Sequence, residues 1–390
     1  MGKIKPSVVY LDNNATTELS QDVSGVIMDM ISMNIYGNPS SQHELGNKIK
    51  TLLDAARYGV AQSLGCSSEE IIFTSGGTES NNLALRGTYR HEPGMANGIV
   101  ISAAEHSSVS STVKAIADEG HVRLIPLNAD GSLDLERAER LITEDTALVS
   151  VMLANNETGV LFPVQKIVEL AHKQGALVHC DAVQAYGKIP IKVRELGVDL
   201  LSVSGHKVHA LPGTGALFIR KGVLVHPIIT GGRQESTLRG GTENYVGIAS
   251  LGTAANEITR LKGSMESGLR DAFETGILRR IPDIEINGQE VPRIPNTSSV
   301  TFKGIHSMSM LTALSEHGIH ASAGPACSTG STKPSHTLQA MGCSEESMVS
   351  TIRFSFSRMS KLMDAVMAIE ACVKCAKLLR QSADYKGSKK

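Results

Sequence analysis

The stretch ALVHCDAVQAYGKIPIKVRELGVDLLSVSGHK, Ala176 to Lys207, decides the fold. It holds two short apolar runs, ALVHCDAV and LLSVSGH, one strand–helix unit apart. Each run ends in polar residues: Asp181 closes the first, and Ser204, His206 and Lys207 close the second. Similar runs lie on either side: EIIFTSG, GIVISAAE, HVRLIPL and ALVSVMLANN before it, and GALFIRKG after it. Amphipathic helical patterns such as TESNNLALRGTYR, SSTVKAIADEG and VQKIVELAHKQG separate several of them. Strand–helix alternation of this kind predicts an α/β fold with a mostly parallel sheet covered on both faces. Ligands of such sheets bind outside the carboxyl ends of the strands. The polar clusters TSGGTES, AAEHSS, ANNETG, CDAVQ and SGHK follow five of the runs, so five loops are expected to converge on one site.

The chain has 390 residues, which predicts more than one domain. A hydrophobic content of 41% and a charged content of 20% are those of an ordinary globular protein. A net charge of −1 gives no electrostatic footprint for nucleic acid or an acidic membrane surface. Aromatic residues are scarce and Trp is absent, which also argues against base-stacking platforms. The six cysteines show no framework spacing, which suits a reducing compartment. The CVKC pair, Cys372 and Cys375, sits in a helical run and has no second pair, so no metal site is expected. The first residues carry no apolar signal core, and no apolar run approaches membrane-spanning length. A soluble cytoplasmic protein is expected.

Beyond the last run, a long helical stretch is predicted from about Tyr245 to Arg280. EINGQEVPRIPNTSSVTFKGI, MSMLTALSEHGIHASAG and MVSTIRFSFS then read as a smaller α+β unit. The polar tail SADYKGSKK completes the chain.

Three features carry chemistry. Gly76, Gly77 and Thr78 stand between a predicted strand and helix, where backbone N–H groups and the helix N-terminus suit a phosphate. Asp181 at a strand end is a fixed negative charge able to hold a protonated heterocyclic nitrogen. Lys207, one strand later, is able to form a Schiff base if partly desolvated. Taken singly, a glycine turn, a strand-end carboxylate and a strand-end lysine are common surface features. Together they suit pyridoxal phosphate.

The chain resembles the group I (NifS/IscS-like) cysteine desulfurases, which are fold-type I pyridoxal phosphate enzymes of the class V aminotransferase family. The resemblance runs in order through YLDNNATT, YGNPSSQH, TSGGTESNN, EHSSV, NNETG, CDAVQ, SGHK, LRGGTEN, SAGPACSTGS and IRFSFSR. It implies a seven-stranded sheet in a large domain over 15–260. Residues 1–14 and 261–390 would form the small domain, with the catalytic cysteine loop at about 321–335. Lys207 then resembles the Schiff-base lysine and Asp181 the partner of the ring nitrogen. His106 would stack on the ring, and Asn156 and Gln184 would bond its hydroxyl. Gly77, Thr78, Ser204 and His206 match the phosphate site. Thr242 matches a phosphate contact from a neighbouring subunit, which implies a homodimer. Asn38 and Arg353 resemble the groups that bind the substrate carboxylate. Cys327 matches the nucleophile that takes sulfur from L-cysteine as a persulfide. A sulfur-acceptor protein, either a scaffold for iron–sulfur cluster assembly or a thiolation enzyme acting on tRNA, would then receive it.

The chain departs from the family pattern in several places. HALPG follows Lys207 where Gly-Pro-Lys-Gly is usual, and Ser236 and Thr237 replace an Arg-Gly pair in QEST. The cysteine loop has Pro325 and Lys333, and the tail is short. Two other readings therefore stay open: a selenocysteine lyase or related pyridoxal phosphate lyase, and a degenerate cofactor-binding paralogue that serves as an interaction scaffold.

Overall fold

The computed structural model describes residues 8–89, 96–261, 268–324 and 335–387. Twelve strands run in chain order: β1 Val9–Tyr10, β2 Ile71–Thr74, β3 Gly98–Ser102, β4 Val122–Ile125, β5 Thr146–Ser150, β6 Leu177–Asp181, β7 Leu200–Ser204, β8 Gly215–Ile219, β9 Ile284–Ile286, β10 Thr297–Phe302, β11 Ile319–His320 and β12 Thr351–Ser355.

The main sheet has seven strands in the order β2-β8-β7-β6-β5-β3-β4. Neighbours from β7 across to β4 are parallel, and β8 alone runs antiparallel to both of its neighbours. The two runs of the opening stretch, β6 and β7, lie side by side, with Asp181 opposite Ser202. Strands β2, β3, β6, β7 and β8 read as near-continuous apolar runs because both faces are covered. The helices Glu44–Leu64, Val164–Lys173 and Tyr245–Arg260 contribute much of that cover, and their buried residues share one core with Val100, Val149, Val178 and Leu201 of the sheet.

A second, antiparallel sheet orders β12-β10-β9, and β1 pairs with β11 beside it. Its core is more aromatic. Phe273, Phe302, Phe354 and Phe356 pack on one another, with the Phe273 and Phe354 ring centroids 4.7 Å apart. Helix Leu362–Gly387 buries Cys372 and Cys375 in that core, and burial raises the pKa of both thiols. Among the described residues, no group of three or more His, Cys, Asp or Glu side chains is placed to hold a metal, and no helix is long and apolar enough to cross a membrane.

The helical stretch predicted near residues 245–280 holds the helices Tyr245–Arg260 and Gly268–Leu278, with 262–267 outside the described residues. The backbone N–H of Leu261 caps the first by bonding the Glu257 and Thr259 carbonyls.

Candidate active site

A cleft of about 800 Å³, counting its open mouth, lies at the carboxyl ends of β5, β6 and β7. Of the candidates named from the sequence, Gly77, Thr78, His106, Asn156, Asp181, Gln184, Ser204, His206, Lys207 and Arg353 line it.

The anion cradle forms where β2 turns into helix Gly77–Thr88. Gly76 has φ 149°, a backbone conformation that side chains disfavour. At Gly77 a Cβ atom would stand 2.7 Å from Val183 Cγ2, so a larger residue there would push Val183 aside. The positive end of the helix dipole faces the cleft beside Thr78, Ser204 and His206. Burial, aided by the nearby Lys207 charge, lowers the His206 pKa to about 4, so its imidazole is neutral at physiological pH. Its Nδ1 lies 3.2 Å from Thr16 Oγ1.

Lys207 ends the single helical turn Gly205–Lys207 that follows β7. Its Nζ donates to the backbone carbonyls of Asn14, at 2.6 Å, and Ala15, at 2.7 Å. Two backbone carbonyls thus hold the lysine at the wall.

Asp181 is the last residue of β6 and only 6% exposed. Its Oδ1 accepts from the Val183 N–H at 3.0 Å, and its Oδ2 accepts from Asn81 Nδ2 at 2.7 Å. Asn81 Nδ2 also donates to Ser108 Oγ at 2.8 Å. The Ser108 hydroxyl in turn lies 2.7 Å from His106 Nδ1, which also accepts the Ser108 backbone N–H at 3.1 Å. With Nδ1 an acceptor, a neutral His106 carries its proton on Nε2. Next to it, Glu105 is buried, and desolvation raises its pKa to about 8.

Gln184 Nε2 donates to the Asn14 carbonyl at 3.0 Å, and Asn156 Oδ1 is buried without a partner. Arg353, from β12, bonds the Asn156 carbonyl at 3.0 Å and pairs with Asp12 at 2.6 Å. Its Nε is buried without a partner.

Cys327 lies outside the described residues, as do Pro325 and Lys333. The flanks of that segment are described. Ser322 pairs with Arg353 through two backbone hydrogen bonds, and Ser335 Oγ donates to Glu157 Oε2 at 2.5 Å. His336 Nε2 donates to the Glu105 carbonyl at 3.0 Å. Both flanks therefore bond residues that line the cleft or directly adjoin those that do.

Asn38 lies elsewhere, in an exposed turn where its Oδ1 accepts from the Ser40 N–H. Thr242 is exposed in a separate groove with Arg239 and Asn244.

Three participants were not singled out from the sequence: Asn14, Asn81 and Ser108. All three stand inside motifs quoted for the resemblance. Asn81 follows Gly77 by four residues, one helical turn, so it faces the same way as the cradle.

An anion cradle, an amine and a carboxylate that already accepts two hydrogen bonds meet in one desolvated cleft, with an unpartnered amide oxygen on its wall. This set fits pyridoxal phosphate and defines the cleft as that of a fold-type I enzyme using this cofactor.

The aminotransferase class-V family matches residues 9–365. A cysteine desulfurase of Nostoc sp. is 41% identical over 384 residues, covering 97% of this chain and 96% of its own. The crystal structure of a NifS-like protein from Rickettsia africae superposes with a TM-score of 0.85 at 34% identity, covering 95% of this chain and 99% of its own. The structure of SspA in complex with cysteine gives a TM-score of 0.78 at 31% identity, covering 89% and 98%. The chain belongs to the aminotransferase class-V family and, within it, to the cysteine desulfurases.

Proposed function

We propose that this chain is a cysteine desulfurase that converts L-cysteine to L-alanine and carries the sulfur on Cys327 as a persulfide. The observation that carries the reading is the arrangement of Lys207 and Asp181 at adjacent strand ends, beside a phosphate cradle and the flanks of the Cys327 segment.

Pyridoxal phosphate, when bound, supplies an electron sink for charge released at the substrate α-carbon. Gly77, Thr78, Ser204 and His206 would hold its phosphate, and Asp181 its ring nitrogen. His106 would cover one ring face, with Asn156 and Gln184 beside the ring hydroxyl. Lys207 would hold the cofactor through its Nζ, and its amine, when neutral, would take and return the α-proton. Arg353 meets the substrate carboxylate, since a guanidinium fork suits that group; a part for Asn38, which lies outside the cleft, rests on the resemblance alone. The Cys327 thiolate attacks the substrate sulfur. An S–S bond forms as the C–S bond breaks; the electron pair stays with carbon, which gains a proton and leaves as alanine.

Thr242 is read as reaching the phosphate site of a second copy, in a homodimer. Residues 15–260 would form the large domain, and 1–14 with 261–390 the small one. The acceptor is a scaffold of iron–sulfur cluster assembly or a tRNA thiolation enzyme, in the cytoplasm.

The test incubates protein loaded with pyridoxal phosphate with L-cysteine and a reductant, and measures alanine and sulfide. Wild type should release both, and Cys327→Ala should release no sulfide. Equal sulfide from both proteins would refute the role of Cys327.

A further inference from the structure

Lys188 is a buried amine that the reaction outlined above does not use. It is 6% exposed and lies seven residues beyond Asp181, behind the cleft wall. Its Nζ donates to Gln184 Oε1 at 2.7 Å and to Asn14 Oδ1 at 2.9 Å. Among the described residues no carboxylate pairs with it. The charged groups around it are Lys207 and Arg353, both cationic, and these together with burial hold its pKa well below the usual lysine range.

What the amine does supply is direction. The two ends of the Gln184 amide are alike in shape and opposite in hydrogen bonding. Lys188 takes the oxygen end. The Asn14 carbonyl, which can only accept, takes a proton from the nitrogen end at 3.0 Å. The same Asn14 carbonyl supports Lys207 Nζ at 2.6 Å. Asn14 is itself held by its side chain, whose Oδ1 accepts from Lys188 and from Asn296 Nδ2 at 3.1 Å.

We infer that Lys188 is a positioning residue of the cofactor site: it fixes the Gln184 amide with its NH2 group toward the cleft and steadies the Asn14 carbonyl on which Lys207 rests. The inference rests on the reading of the cleft as a pyridoxal phosphate site. Its consequence is that this wall presents a donor, and an acceptor oxygen on the ligand is favoured there.

The test is a double-mutant cycle read by cofactor affinity, measured as fluorescence quenching when cofactor-free protein is titrated with pyridoxal phosphate. Lys188→Met and Gln184→Ala should each weaken binding by about tenfold, the scale of one oriented hydrogen bond. The double variant should bind more tightly than the product of the two single losses predicts, because the lysine acts in part through the glutamine. Lys188→Gln keeps a donor at shorter reach and replaces Lys188→Met if that protein does not fold; it too should weaken binding. Affinity within twofold of wild type in the Lys188 variants, or losses that simply multiply in the double variant, overturns the inference. Wild-type protein that takes up no pyridoxal phosphate overturns both this inference and the cofactor reading beneath it.

Discussion

Asn81 donates a 2.7 Å hydrogen bond to Asp181 across one hundred residues of sequence, and its amide nitrogen also reaches Ser108, which holds His106. One side chain therefore orients both the carboxylate and the imidazole of the site. Asn81→Asp would set a second carboxylate against Asp181 in a buried place, where one of the two keeps its proton. Cofactor affinity should fall by about tenfold or more, as read by fluorescence titration. Affinity equal to wild type would show that Asp181 needs no such support.

Lys207→Ala should lose the near-visible absorbance of lysine-linked cofactor while keeping its circular dichroism. Lys207→Arg should not restore it, because a guanidinium stays protonated and is no nucleophile. A band that persists in either variant would put the covalent link elsewhere.

Glu105 supplies a pH prediction. Its pKa in the folded protein is about 8, against an ordinary 4.5. Between those values the folded state binds the proton and the unfolded state does not, so this group's stabilising contribution declines as pH rises through the window. Glu105→Gln keeps an acceptor for Ser102 and the Met152 N–H and removes the group that must ionise. The variant should melt close to wild type at pH 5 and several degrees higher at pH 9. A melting difference that does not widen with pH would contradict the buried acid.

The turn Glu235–Ser236–Thr237 has φ values of 45°, 55° and 69°, all in the left-handed region. Glu235 is secured there by Arg57, at 2.6 and 2.8 Å, and by the Phe73 N–H at 2.7 Å. Thr237 is exposed, and its β-branched side chain makes this conformation costly. Thr237→Gly should stabilise the protein by about 1 kcal/mol in denaturant unfolding. A loss of stability would mean that the threonine side chain has a role of its own.

Much of this was legible in the chain. Asp181 and Lys207 stand where buried parallel strands stop and polar loops begin, a change visible within eight residues. The reversed direction of β8 was not read from GALFIRKG, which resembles its neighbours. The cause lies just upstream: Val208–Thr214 is too short for a crossover between parallel strands. Asn14, Asn81 and Lys188 were missed because their roles come from partners far along the chain, and no local pattern encodes such pairs. A lysine in YGKIP reads as surface charge until the fold closes over it. Asn38 and Thr242 were read from resemblance, and neither lines the cleft.

Asn14 also sets an order of events. Its side chain and carbonyl bond Asn156, Gln184, Lys188, Lys207, Asn296 and Thr297, and its backbone N–H bonds Ser355 Oγ. Asn14 therefore waits for a partner synthesised 341 positions later. The perch of Lys207 is completed only once Ser355 has been synthesised, so a nascent chain that stops short of it cannot assemble the whole cleft.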